Sequence, residues 1–211
     1  MKKMTFIALL ATVLAVFLLL IKEDGSHQPY SPLKQDAVIL AFGDSLTYGY
    51  GVKSGFSYPS QLAAKTGLKV INAGISGEES SEGLQRLQGV LKQNPDIVIL
   101  CHGGNDILRK HSLLQLKNNL LAMIDMIHKN GAKVLLVGVP DFGWLGFNTL
   151  PLYNEVAKER DVIFEEDTLG LIEADTALKS DRIHPNEKGY EMMADAFIEV
   201  LTDNGLLSHQ E

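Results

Sequence analysis

A single cysteine, Cys101, occurs in 211 residues, so no intrachain disulfide can form. It lies within Asp96-Ile-Val-Ile-Leu-Cys101, an apolar setting that favours a buried, inert thiol over a nucleophile. No cysteine and histidine cluster has metal-ligand spacing, so neither a metal nor any other cofactor is expected. Basic residues are in the minority: 19 Lys and Arg stand against 26 Asp and Glu, a formal net charge of -7. Nothing basic is clustered outside Lys2 and Lys3, which argues against a nucleic-acid partner. Internal repeats and a second domain are also lacking. What is present, 45% hydrophobic and 21% charged residues, is the balance of one globular domain able to bury a full core, with a short extension.

The extension is amino-terminal. No charge interrupts Met4 to Ile21, a run of roughly 18 residues at the short end of what spans a bilayer. A cleaved signal peptide ordinarily has a shorter apolar core and small residues at its cleavage site, whereas Leu18-Leu19-Leu20-Ile21 meets Lys22-Glu23-Asp24 directly. Residues 1–24 are therefore expected to be an uncleaved membrane anchor, with a cleaved signal as the alternative. Lys2 and Lys3 place that end in the cytoplasm. The domain is thus expected to be exported, periplasmic or extracytoplasmic, and held at the membrane by residues 4–21. No cysteine follows the run, which excludes lipid attachment there. Residues 25–36, with Pro29, Ser31 and Pro32, read as a polar tether, and residues 37–205 as the folded domain.

Within the domain, strand and helix patterns alternate. Ala37-Val-Ile-Leu-Ala-Phe42 reads as a strand buried on both faces that stops at Gly43-Asp44-Ser45. Further strands are expected at 68–72, 96–101, 133–139 and 162–165. Helices are expected at 58–66, 78–93, 113–129, 151–160 and 187–201, the 113–129 segment carrying the clearest apolar stripe. A long irregular stretch is expected from Glu166 to Asp181. Strands joined by helices imply right-handed crossovers and a flavodoxin-like three-layer α/β/α sandwich, its parallel sheet having about five strands.

Such a sheet gathers the carboxyl ends of its strands on one rim, where α/β proteins place their chemistry. Ser45, Gly77 and Asn105 each follow a different strand, and His184 with Asp181 precedes the last helix. Each has a plainer reading. Ser45 can be a helix N-cap, Asp181 a turn cap for Asn186, and Asn105 a turn residue after two glycines. His102 is expected to pack or bond locally, His111 and His128 to lie on helix surfaces, and Asp44 to buttress its turn.

Taken together, Gly43-Asp44-Ser45-Leu46, Asn72-Ala-Gly-Ile-Ser-Gly77, Gly103-Gly104-Asn105-Asp106 and Asp181-Arg-Ile-His184-Pro185 resemble the four blocks of the SGNH (GDSL) hydrolases, in that family's order. Within it the chain is similar to the bacterial multifunctional thioesterase, lysophospholipase and arylesterase group. The resemblance implies Ser45 as nucleophile, Asp181 and His184 as its triad partners, and an oxyanion hole of the Ser45 N–H, the Gly77 N–H and the Asn105 amide. The chemistry is consistent with those roles. A serine hydroxyl is a weak nucleophile until a base takes its proton, and an imidazole suits that task near neutrality. The expected activity is hydrolysis of single-chain acyl esters or thioesters through an acyl-enzyme on Ser45, by a monomer. Deacetylation of envelope sugars is the alternative. Phe142, Trp144, Leu145 and Phe147 are either acyl-pocket residues or plain core, with Trp144 and Phe147 named as substrate contacts.

Overall fold

The structure, a computed structural model, describes residues 30–141 and 147–208. Expectations for residues 1–24, for residues 25–29 of the tether and for Phe142, Trp144 and Leu145 fall outside these residues. Five strands, β1 (Val38–Gly43), β2 (Lys69–Gly74), β3 (Ile97–Cys101), β4 (Lys133–Val137) and β5 (Ile163–Glu165), form one sheet in the order β2-β1-β3-β4-β5. Every pairing is parallel. The chain winds one way from β1 to β2 and the other way from β3 onward. The switch point between β1 and β3 is where sheets of this order open a crevice. That crevice is flanked by the loops after Gly43 and Cys101.

Burial follows from position in the sheet. β3 is buried at all five residues and β1 at all but Val38, whereas edge strand β2 is part-exposed throughout. The helices are α1 (Ser45–Tyr48), α2 (Tyr58–Thr66), α3 (Ser80–Val90), α4 (Gly104–Leu108), α5 (Leu113–Lys129), α6 (Pro151–Arg160), α7 (Thr168–Ala174) and α8 (Glu187–Asp203). Helices α2 and α8 pack together on one face, with α7 against α8, while α3, α5 and α6 pack in sequence on the other. Helix α5 starts where the Ser112 hydroxyl accepts the Gln115 N–H, and it turns Leu116, Leu120, Met123, Ile124 and Ile127 inward. Asn186 caps α8 by accepting the Lys188 and Gly189 N–H groups, and α8 buries Tyr190, Met193, Phe197 and Leu201. At about 1.5–3 kcal/mol for each large apolar side chain removed from water, these two faces dominate the stability of their layers.

Several element bounds differ from the sequence-based expectation by one or two residues, and two stretches differ more. The helix expected from Glu78 starts at Ser80, because the Glu79 side chain accepts from the Glu82 backbone while Glu82 bonds the Glu79 N–H, a reciprocal cap. It ends at Val90, and a 3₁₀ turn covers Leu91–Gln93. The stretch after Glu166, expected to be irregular, contains α7 and a second 3₁₀ turn at Thr176–Leu178. The compact unit starts at Ser31, and the Leu33 N–H donates to the Leu206 carbonyl at 2.9 Å. Among the described residues no helix is long and apolar enough to cross a membrane.

Candidate active site

The site begins where β1 and β3 converge. A Cβ at Gly43 would stand 2.0 Å from the Cys101 carbonyl oxygen, so only glycine lets the two strand ends approach this closely. The next residue, Asp44, caps α1: its Oδ1 accepts the Leu46 N–H at 3.1 Å and its Oδ2 accepts from Asn105 Nδ2 at 3.3 Å. Burial pushes the Asp44 carboxyl above its ordinary value, with the nearby imidazoles and the Leu46 N–H working against it. Ser45 is therefore the first helical residue, not the cap. Its Oγ donates to His184 Nε2 at 3.0 Å.

His184 reaches Ser45 from the loop before α8. Its Nδ1 donates to Asp181 Oδ2 at 2.8 Å, while Asp181 Oδ1 accepts the Ile183 and His184 N–H groups at 2.8 Å each. Partial burial would raise the Asp181 carboxyl, but those backbone bonds and the imidazole outweigh it and hold the group at about 2. Asp181 thus caps its own turn and orients the ring at once. The turn-cap alternative places its bond on the wrong residue, since Asn186 caps α8 itself. The Ser180 N–H donates to the His184 carbonyl at 2.8 Å, closing the turn. On its open side the imidazole meets Tyr50, with ring centroids 4.3 Å apart.

The N–H groups of Ser45, Gly77 and Asn105 border the same cleft as the imidazole. Gly77, at φ +82°, and Ser45 present backbone N–H groups with no acceptor among the described residues. Asn105 donates through Nδ2 to the Glu78 carbonyl at 3.0 Å and, at greater length, to Asp44 Oδ2. A cleft of about 190 Å³ is lined by Asp44, Ser45, Ser76, Gly77, Asn105 and His184, with Leu46, Leu108 and Ile183 as its apolar walls. All five residues expected to meet on the rim are therefore within one constellation. Phe147 is not among the cleft residues; it borders a separate cleft of about 410 Å³ with Thr149, Glu166 and Leu171.

Other expectations resolve as follows. Cys101 is buried, and burial pushes its thiol well up. His102 is fully buried and bonded to Glu78 Oε2 at 3.1 Å. His111 is not on a helix but in the turn before α5, bonded to Glu79 at 3.0 Å. Sequence reasoning passed over Tyr50, whose only signal was its place between Gly49 and Gly51, both at positive φ. It also passed over Asp106, which accepts from the Ser80 N–H and hydroxyl at 2.8 and 2.6 Å.

A serine bonded to an imidazole, itself bonded to a carboxylate, beside unpaired N–H groups in an apolar-walled cleft can transfer acyl groups. Comparisons with known proteins agree with this. The profile of the GDSL-like Lipase/Acylhydrolase family matches residues 41–192. Esterase TesA of Pseudomonas aeruginosa is 35% identical over 114 residues, 50% of this chain and 57% of that protein. The match thus spans little more than half of that relative's length. Thioesterase 1/protease 1/lysophospholipase L1 of Escherichia coli K12 is 33% identical over 168 residues, 74% of this chain and 79% of that protein. Among solved structures, the psychrotrophic esterase EstA from Pseudoalteromonas sp., inhibited by monoethylphosphonate, superposes with a TM-score of 0.71 at 25% identity, covering 80% of this chain and 98% of that one. With a profile spanning most of the domain and a relative aligned over most of both lengths, the chain belongs to the GDSL-like lipase/acylhydrolase family of hydrolases.

Proposed function

We propose that the protein hydrolyses esters or thioesters carrying a single acyl chain, through an acyl-enzyme on Ser45. The observation that carries this reading is the continuous relay from Ser45 Oγ through His184 to Asp181, at 3.0 and 2.8 Å, opening on a cleft with apolar walls. Ser45 Oγ attacks the carbonyl carbon while its proton passes to His184 Nε2. The carbonyl oxygen becomes an oxyanion, met by the N–H groups of Ser45 and Gly77 and by Asn105 Nδ2. Of the two bonds Asn105 Nδ2 makes, the 3.3 Å contact with Asp44 is the weaker, and it is the one the oxyanion replaces. Collapse breaks the bond to the leaving alcohol or thiol, which takes the proton from His184. Water then attacks the acyl-serine, giving a proton to the same nitrogen; the bond from the acyl carbon to Ser45 Oγ breaks, Oγ takes that proton back from His184, and the free acid departs.

Relatives named esterase, arylesterase and thioesterase/lysophospholipase support this substrate class. So does apolar surface around the mouth, since Tyr48, Tyr50, Ile75 and Leu108 are all exposed on loops or short helices after strands. A second reading, deacetylation of envelope sugars, is favoured by one observation, the modest volume of the cleft at Ser45. Rates of kcat/KM for p-nitrophenyl esters from C2 to C12, beside a lysophospholipid, an acyl thioester and an acetylated sugar, separate the two. Each buried methylene is worth about 0.8 kcal/mol, so a rate rising several-fold per added carbon supports the acyl-chain reading. A maximum at C2, with the acetylated sugar turned over and the lysophospholipid untouched, establishes the alternative. We further propose that residues 4–21 anchor the exported domain. Full-length protein then stays with membranes through carbonate washing, and a mature amino terminus between residues 21 and 35 overturns the anchor.

A further inference from the structure

Beneath the cleft lies a buried ionic cluster that the proposed chemistry does not use. Glu78, 5% exposed, accepts from Arg86 Nε through Oε1 and from Arg86 Nη2 through Oε2, at 2.5 and 2.6 Å. The second hydrogen of the same Nη2 goes to the Ala73 carbonyl at 2.8 Å and is shared with the Gly43 carbonyl at 3.3 Å, at the carboxyl ends of β2 and β1. The guanidinium also lies over the Phe42 ring, 4.1 Å from its centroid. The third strand exit enters through His102, which follows β3. The Gly103 N–H donates to His102 Nδ1 at 3.1 Å, leaving Nε2 to carry the proton and donate to Glu78 Oε2. Space for that ring exists because α3 has glycine at position 83, where a Cβ would stand 2.4 Å from His102 Nε2.

Each tied strand exit leads directly to one of the donors assigned above. Gly43 precedes Ser45 by two residues, Glu78 follows Gly77, and His102 precedes Asn105 by three. The Glu78 carbonyl also accepts the firmer of the two Asn105 Nδ2 bonds. We propose that Arg86 and Glu78, with His102, are positioning residues that set the three exits at a common spacing and so aim the Ser45, Gly77 and Asn105 donors at one point. The physical reason is geometric. A guanidinium is a planar fork able to grip a carboxylate with two parallel bonds and still reach the strand-end carbonyls with a further N–H, and an ammonium cannot replace it. Burial pushes the Glu78 carboxyl up, but the bonds from His102 and Arg86 overcome this and keep it below its usual range, so the clamp stays ionic. An oxyanion hole needs its donors fixed before charge develops, and an error of about 1 Å costs on the order of 10²-fold.

The inference rests on the oxyanion donors named under the proposed function, and a double-mutant cycle tests it apart from them. Arg86→Lys, Glu78→Gln, Asn105→Ala and the pairs are assayed for kcat and KM, with active sites counted by fluorophosphonate titration and folding followed by near-ultraviolet circular dichroism. Arg86→Lys and Glu78→Gln are each expected to lower kcat per titrated site about 10- to 100-fold, with KM changed less than about threefold. Combining either with Asn105→Ala should cost less than the product of the separate losses, because part of what the clamp does is to aim the Asn105 donor. Should Arg86→Lys fail to fold, Glu78→Gln carries the same cycle. Additive losses, or fewer titratable sites at unchanged turnover per site, overturn the clamp while leaving the donors in place. An Asn105→Ala protein with wild-type kcat overturns the donor assignment and the clamp with it.

Discussion

The two halves of the site are built on opposite plans. The serine half, with Asp44, Glu78, His102 and Asp106, is almost fully withdrawn from water and is fixed by contacts between strands far apart in sequence. The histidine half is a short turn whose carboxylate, Asp181, is 45% exposed and, among the described residues, bonds to residues two and three positions away. The buried half couples catalysis to folding, because removing a partner there strands a polar group in a dry environment. The open half separates them: its bonds can be cut at little cost to the fold.

That contrast can be broken most forcefully at the two groups proposed to react. Ser45→Ala and His184→Ala should each lower kcat by about 10⁵-fold or more, with the double variant little worse, since nucleophile and base act as one unit. An active Ser45→Ala protein removes the mechanism. Asp181→Asn should follow at about 10⁴-fold, the loss expected when the ring loses its orienting anion, with the melting temperature nearly unchanged. Asn105→Ala should cost about 10²- to 10³-fold in kcat with a smaller change in KM, since its bond strengthens as charge develops. If KM alone rises, Asn105 binds substrate and does not stabilise the transition state.

Stability sharpens the comparison. Asp106→Ala leaves the buried Ser80 N–H and hydroxyl without their acceptor, and calorimetry should show a loss of about 1.5–3 kcal/mol. The smallest effect concerns acid. Asp181 lies at 3.8 in the unfolded chain and about 2 when folded, so its contribution is present above pH 3.8 and fades as pH falls toward 2. Because the group is half open to water the contribution is slight. Melting temperatures of wild type and Asp181→Asn should therefore differ only a little, and converge below about pH 4. A large difference at neutral pH would mean that the open half also holds the fold.

The same contrast explains what the sequence disclosed. The strands were legible from their apolar runs, the helices at 58–66 and 113–129 from apolar positions followed by Gly67 and Gly131, and the helix at 151–160 from its opening proline. The histidine turn was legible because Asp181 and His184 bond locally, so their spacing carries their geometry. The clamp was not legible. Arg86 meets Gly43 and Ala73 only after the sheet has formed, and Glu78 reads in sequence as a first-turn acid of the helix it precedes. Helix α7 escaped because it is short and contains Gly170, a position where a Cβ would stand 2.3 Å from the Phe147 carbonyl oxygen. That requirement is tertiary, and no local pattern announces it.

Cys101 ends the central strand β3, which pairs with β1 along its whole length and with β4 from Ile97 to Leu100, and it lies one residue before His102. Its thiol is out of reach of any reagent until the middle of the sheet parts. The molecule therefore carries its own stopwatch for rare opening events. In native buffer, the slow consumption of a disulfide reagent by this lone thiol counts how often the sheet comes apart at the strand that leads to Asn105, with no label to engineer and no second thiol to confuse the signal.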